Sequence, residues 1–130
     1  MKILFIEDDA MNRRVVRDML DVAGIPMDEA DGARAGLRMI DAHDYDLVLM
    51  DLRMPGMDGI EAIRVLRQRT DDKADLPVIV ITADAAAGLR EKCMDHGADE
   101  VLFKPVAMQS LFDTIAEIMV ARGGENPIIS

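Results

Sequence analysis

The chain has 130 residues, half of them hydrophobic, and carries a formal charge of −10 at pH 7; the length is usual for one domain with one core. Its excess of carboxylates argues against direct binding to nucleic acid or to an anionic membrane, and no apolar stretch approaches the roughly 20 residues of a membrane span. Because the single Cys93 cannot form an internal disulfide and a strand-like run from Lys2 leaves no room for a signal peptide, we expect a cytoplasmic protein.

Five short apolar runs predict strands. In chain order they are Ile3–Ile6, a weaker run near Ile25–Ala30, Leu47–Met50, Val78–Ile81 and Val101–Phe103. The near-continuous hydrophobicity of the other four is typical of strands that are buried on both faces, as in a parallel sheet. The weaker run is expected at an edge.

Five apolar stripes with a spacing of three and four residues predict helices between and after these runs. They are Met11 to Leu20, Leu37 with Ile40, Ile60 to Leu66, Leu89 to Met94, and Leu111 to Met119. Gly24 and Gly97 follow two of the stripes and are expected to end those helices. Asp9, directly before the first stripe, is expected to cap it.

The strict alternation of strands and helices predicts one doubly wound α/β domain. Its five-stranded parallel sheet should carry helices on both faces, joined by right-handed crossovers. We expect this domain to span residues 1–122. Residues 123–130, which include Gly123, Gly124 and Pro127, are expected to form a flexible tail or the start of a linker.

Polar residues stand at the carboxyl ends of four predicted strands. They are Glu7, Asp8 and Asp9 after the first, Asp51 after the third, Thr82 at the end of the fourth and Lys104 after the fifth. Ligands of open α/β sheets bind at this edge. Two carboxylates held close together repel unless a cation joins them, and Mg²⁺ prefers carboxylates, waters and phosphate oxygens. Together with a lysine and a hydroxyl, the carboxylates at these strand ends predict a site for phosphate and Mg²⁺ chemistry.

Four segments resemble the motifs of receiver domains from two-component response regulators. They are Ile6-Glu7-Asp8-Asp9, Met50-Asp51 with the following Met54-Pro55-Gly56-Met57-Asp58-Gly59, Ile81-Thr82-Ala83, and Phe103-Lys104-Pro105. The resemblance runs from Lys2 to about Ala121. It implies a flavodoxin-like strand order of 2-1-3-4-5.

The resemblance also implies a role for each site residue. Asp51 would accept a phosphoryl group from the phosphohistidine of a histidine kinase or a histidine phosphotransfer protein, with Mg²⁺ as the cofactor. The implied metal contacts are Asp8 directly, Asp51, Glu7 through a water or as a secondary ligand, and the backbone carbonyl of Arg53. Thr82 and Lys104 match the switch hydroxyl and the lysine of the family.

The implied product is a signal rather than a released metabolite. An acyl phosphate at Asp51 would draw Thr82 towards it and change the face formed by the fourth helix, the fifth strand and the fifth helix, which would contact a downstream protein. The chain would thus be a phospho-acceptor that assists its own phosphorylation and dephosphorylation, not an enzyme in the usual sense.

Two features depart from or add to the family pattern. Many relatives carry an aromatic residue three positions before the lysine, where this chain has Val101, so the readout should rely more on loop ordering; Phe103 is expected in the core on the same face as Val101. Arg53 and Asp84, two residues beyond Asp51 and Thr82, either approach each other across the mouth of the site and slow the hydrolytic water, or stay solvated.

Other function classes remain open at this point. A Mg²⁺-dependent phosphatase of the haloacid-dehalogenase type also uses an aspartate after a buried strand, but it needs a second aspartate where this chain has Arg53. A receiver-like adaptor would bind partners without phosphorylation. With no second domain expected in the chain, it is either a free-standing regulator or a receiver from a hybrid kinase, which the run Asn12-Arg13-Arg14 loosely resembles.

Overall fold

Five strands and five helices alternate along residues 1–128, the part of the chain that a computed structural model describes. The strands are β1 (Ile3–Ile6), β2 (Met27–Ala30), β3 (Leu47–Met50), β4 (Val78–Thr82) and β5 (Glu100–Phe103). The helices are α1 (Ala10–Val22), α2 (Ala33–Ala42), α3 (Gly59–Arg67), α4 (Leu89–Asp95) and α5 (Met108–Ala121), and one 3₁₀ turn (Asp72–Asp75) precedes β4. The predicted elements are confirmed.

The strands form one parallel sheet in the order β2-β1-β3-β4-β5, as expected. Ile6, the last residue of β1, is in register with Ala30 of β2 and Met50 of β3. The residues that follow β1 and β3 therefore emerge side by side at one edge of the sheet. This register brings Glu7 and Asp51 together.

Two apolar clusters cover the two faces of the sheet. On one face β1, β3 and β4 pack against α2, α3 and α4, through residues such as Ile40, Ile63 and Cys93. On the other face they pack against α1 and α5, through residues such as Leu20 and Ile115. The central strands are buried on both sides, which explains their continuous hydrophobicity in the sequence.

The predicted helix ends are confirmed. The side chain of Asp9 accepts hydrogen bonds from the backbone N–H groups of Met11 (2.8 Å) and Asn12 (3.3 Å) and caps α1. Gly24 and Gly97 follow α1 and α4 with φ angles of +69° and +114°, a region that glycine enters without steric cost.

The expectation that Phe103 lies in the core is wrong, because its side chain is 42% exposed. Val101, on the same face of β5, packs against α4 and is buried. Phe103 differs from Val101 because α4 has only seven residues and begins at Leu89. The loop before α4 is mostly exposed alanine. Edge strand β5 is thus covered along one part of its length and open at its carboxyl end.

The predicted boundary between domain and tail remains a prediction. Helix α5 ends at Ala121, and Ile128, within the predicted tail, is partly buried against the cluster on the α1 and α5 face. The tail's last two residues, 129–130, lie outside the described range. Within residues 1–128, the helices are all too short or too polar to cross a membrane.

Candidate functional site

Three carboxylates converge at the carboxyl ends of β1 and β3. Glu7, Asp8 and Asp51 each place an oxygen within 4.8 Å of the others. Glu7 is fully buried and Asp51 is 6% exposed, whereas Asp8 faces solvent. We call these three residues the acidic cluster. The sequence predicted this convergence from the strand ends alone.

Lys104 is the cation of the site. Its ammonium nitrogen lies 2.6 Å from Glu7 Oε1 and 3.4 Å from Asp51 Oδ2. Burial alone would lower the pKa of this lysine, but the two carboxylates outweigh that effect and raise it. Lys104 therefore stays charged, and its charge balances only part of the cluster's negative charge.

Glu7 is the carboxylate held in the least favourable surroundings. Its Oε2 atom is buried and has no hydrogen-bond partner within residues 1–128. Burial first, and then the neighbouring Asp51, raise its pKa to about 7, although Lys104 acts in the opposite direction. A buried carboxylate oxygen without a donor is costly, and costs of this kind are usual at functional sites.

The cluster fits a divalent cation by its donor set. Its oxygens belong to three carboxylates, which hard cations such as Mg²⁺ prefer, and one exposed member leaves a side open to water and ligand. A cation would also give the unpartnered oxygen of Glu7 an interaction with positive charge. Glu7, Asp8 and Asp51 are the residues that would hold it.

Backbone contacts fix Asp51 at the end of β3. Its N–H donates to the carbonyl of Ile6 (3.0 Å). At Gly59 the first turn of α3 comes so close that a Cβ there would lie 2.5 Å from the carbonyl oxygen of Asp51. Asp58 caps α3 by accepting from the N–H of Glu61 (2.8 Å). The Asp58-Gly59 pair, a dipeptide that is common in simple turns, thus anchors the loop that follows Asp51 and leads to α3.

Thr82 and Arg53 lie at the same edge but in different surroundings. Thr82 is fully buried, and its hydroxyl oxygen accepts from the N–H of Asp84 (3.1 Å). The guanidinium of Arg53 pairs with the Asp84 carboxylate (2.9 Å), which confirms that these two side chains approach each other. The metal contact expected of the Arg53 carbonyl, and the switch role of Thr82, remain predictions.

One contact at this edge was not predicted from the sequence. Arg13 of α1 donates from Nη1 to the backbone carbonyl of Glu7 (2.7 Å). Sequence patterns do not reveal such a contact, because an arginine on a helix next to an acidic loop is more often solvated. The one sequence feature that pointed to this contact was the position of Arg13, one helical turn after the Asp9 cap.

Comparison with known proteins identifies the family. The model of the response regulator receiver domain matches residues 3–116. The chain is 34% identical over 122 residues to the sensory/regulatory protein RpfC of Xanthomonas campestris, and 37% identical over 122 residues to the C4-dicarboxylate transport transcriptional regulatory protein DctD of Pseudomonas aeruginosa. Each match covers 93% of this chain but only 17% and 26%, respectively, of those relatives.

Solved structures show the same fold. The receiver domain of a sensor histidine kinase from Pseudomonas aeruginosa, solved with a magnesium ion coordinated in its active-site cleft, superposes with a TM-score of 0.76 at 33% identity. The match covers 85% of this chain and 89% of that one. The cluster of Glu7, Asp8 and Asp51 is the feature of this chain that suits such an ion.

Proposed function

Because the chain belongs to the response regulator receiver domain family of two-component signalling, we propose that Asp51 is the residue that accepts the phosphoryl group. The observation that carries this assignment is the position of its carboxylate, which is nearly buried within the acidic cluster and 3.4 Å from Lys104. Of the other two carboxylates, Asp8 faces solvent and Glu7 is already bonded to Lys104. Asp51 combines burial with access from the rim.

The proposed reaction is an in-line transfer. A carboxylate oxygen of Asp51 attacks the phosphorus of a phosphohistidine, the bond from phosphorus to nitrogen breaks, and the imidazole leaves as the acyl phosphate forms. Lys104 is placed to pair with a phosphoryl oxygen, since it already contacts Asp51. In such transfers most of the catalysis comes from positioning and from charge neutralisation.

The cofactor we propose for this step is Mg²⁺. The carboxylates of Glu7, Asp8 and Asp51, with the carbonyl of Arg53, would hold it. When bound, the ion would neutralise charge on the transferred phosphoryl group. Glu7 shares its other oxygen with Lys104, so the lysine and the metal site are coupled through one side chain.

The partners follow from the family and are part of the proposal. The phosphoryl donor is a histidine kinase or a histidine phosphotransfer protein, and the receiver acts in the cytoplasm. The downstream protein would contact the face of α4, β5 and α5, where Phe103 (42%) and Met108 (40%) are exposed. Movement of the Thr82 hydroxyl away from the N–H of Asp84 would connect the phosphorylated site to that face.

A phosphorylation assay with a small donor tests the assignment. Wild-type protein incubated with acetyl phosphate and Mg²⁺ should gain the mass of one phosphoryl group, and Asp51→Asn should gain none. Asp9→Asn is the matched control, because asparagine also caps a helix and Asp9 lies outside the acidic cluster. If the wild type gains no phosphate, or if Asp51→Asn gains it as fast as the wild type does, the assignment is wrong.

A further inference from the structure

Arg13 contacts the backbone of the loop of residues 7–9, which joins β1 to α1 and which we call the acidic loop. Its Nη1 donates to the carbonyl of Glu7 (2.7 Å), and its Nε donates to the carboxylate of Glu29 on β2 (3.0 Å). The side chain is 17% exposed. One guanidinium therefore joins α1, an edge strand and the first residue after β1.

Glu7 is held at both of its peptide groups, at its N–H on one side and at its carbonyl on the other. The N–H of Glu7 donates to the carbonyl of Ala30 (2.9 Å), and its carbonyl accepts from Arg13. Because a trans peptide is planar, fixing the Glu7 carbonyl also fixes the direction in which the chain enters Asp8. Asp9, one residue further, is fixed as the cap of α1.

We propose that Arg13 is a positioning residue for the acidic cluster: anchored on Glu29, it fixes the peptide between Glu7 and Asp8 and so sets the direction of both carboxylates. This inference rests on the proposed role of the cluster as the Mg²⁺ site. It adds a residue that touches neither the ion nor the phosphoryl group and acts through one backbone carbonyl.

Arg17 provides a matched control within the same helix. It also pairs with Glu29, through Nε (2.9 Å), and it donates to a backbone carbonyl, that of Met27 (3.1 Å). Unlike Arg13, it makes its backbone contact on β2 and not on the acidic loop. The two arginines therefore share a charge, a partner and a helix, and they differ in the contact that carries the inference.

Charge and positioning predict opposite effects on Mg²⁺ affinity. Removal of a cation near the cluster should strengthen the binding of a second cation, by Coulomb's law alone. Loss of the contact to Glu7 should weaken it, because residues that orient metal ligands typically contribute about tenfold or more to affinity. A weaker affinity in Arg13→Ala thus cannot arise from the change in charge.

The test is a titration with MgCl₂, followed by the NMR signals of backbone amides around the cluster in unphosphorylated protein. We expect Arg13→Ala to weaken Mg²⁺ binding about tenfold and Arg17→Ala to leave it within about twofold, although both variants lose thermal stability with their Glu29 contacts. Equal affinities in the wild type and Arg13→Ala, or equal losses in the two alanine variants, would overturn the inference.

A second variant and a second control complete the design. Arg13→Lys keeps the charge but lacks the fork that reaches Glu29 and Glu7 together, so it should lose part of the affinity; if Arg13→Ala does not fold, an unchanged affinity in Arg13→Lys overturns the inference. Asp51→Asn, which changes a member of the acidic cluster, tests separately the premise that this cluster is the Mg²⁺ site. If wild-type protein itself binds no Mg²⁺, the proposed function fails, and not only the role of Arg13.

Discussion

The charged groups at the two ends of the sheet are balanced to different degrees. At the amino ends of the strands, Arg67 donates to the carbonyls of Gly97, Ala74 and Leu76 and pairs with Asp99. The other oxygen of Asp99 pairs with Arg122 (2.8 Å). We call Arg67, Asp99 and Arg122 the amino-end network. At the carboxyl ends, in contrast, Lys104 pairs with two of the three carboxylates of the acidic cluster, Glu7 and Asp51.

This difference separates charges that hold the fold from charges that, under the proposed function, would bind a cation. In the amino-end network the central guanidinium is saturated with acceptors, and such a pair is costly to break. In the acidic cluster one buried oxygen of Glu7 has no hydrogen-bond partner within residues 1–128, so the metal-free site costs stability. Mutations at the two ends should therefore change the free energy of unfolding in opposite directions.

The largest effect is expected from Arg67→Met. The substitution leaves the carbonyls of Gly97, Ala74 and Leu76 without this donor and removes one of the two arginines that pair with Asp99. It should lower the free energy of unfolding by about 3 kcal/mol, as measured by urea denaturation. Arg64→Met is the control, because Arg64 lies on the same helix with an exposed side chain, and it should change stability by less than about 0.5 kcal/mol. Equal losses in both variants would contradict the account of the amino end.

The comparison is sharpest between two substitutions that each neutralise one acid. Asp99→Asn should lower the free energy of unfolding by about 1–3 kcal/mol, because two arginines lose their carboxylate. Glu7→Gln, in metal-free protein at about pH 8, should raise it by about 1–2 kcal/mol, because it removes a buried charge. Destabilisation by both variants under these conditions would break the comparison.

The gain in Glu7→Gln should depend on pH. The pKa of Glu7 is 4.5, its ordinary value, in the unfolded chain and about 7 in the folded one. The stability that Glu7 contributes is therefore complete below about pH 4.5 and is lost as the pH rises through about 7. The advantage of Glu7→Gln should therefore shrink as metal-free protein is taken from about pH 8 to about pH 5. Added Mg²⁺ should reverse the order, stabilising the wild type more than the variant.

The smallest effect is expected at the mouth of the site. Arg53 is 76% exposed in its pair with Asp84, and such pairs contribute at most about 1 kcal/mol. Arg53→Ala and Asp84→Ala should each speed dephosphorylation of the labelled protein by about twofold to fivefold, if the pair hinders the hydrolytic water. Arg90→Ala, which breaks another exposed pair, with Glu100, should leave the rate unchanged. Unchanged rates in both mouth variants would remove this role.

Much of the fold and the convergence of the site could be predicted from the sequence. Strands buried on both faces leave short, nearly continuous apolar runs, and these runs predicted the positions of β1, β3 and β4. Because parallel strands end at one edge, the acids after Ile6 and Met50 had to meet there. The strand order came from the family resemblance and not from the spacing.

The features that the sequence could not predict depend on which side chains a neighbouring helix covers and on which atoms a long side chain reaches. Phe103 follows the alternation of a buried strand, but α4 is too short to cover it. Arg13 bonds to a backbone carbonyl, and such contacts leave no pattern of residue types. The unpartnered oxygen of Glu7 likewise depends on which of its two oxygens Lys104 reaches.

The most direct test of the central claim is to locate the phosphoryl group in the labelled wild-type protein. Reduction of an aspartyl phosphate with borohydride converts that residue to homoserine, which peptide mass spectrometry can assign to a position. The account predicts homoserine at position 51 and at no other acidic residue. Homoserine at position 8 or 9, or the longer alcohol 2-amino-5-hydroxypentanoic acid at position 7, with position 51 unmodified, would contradict it.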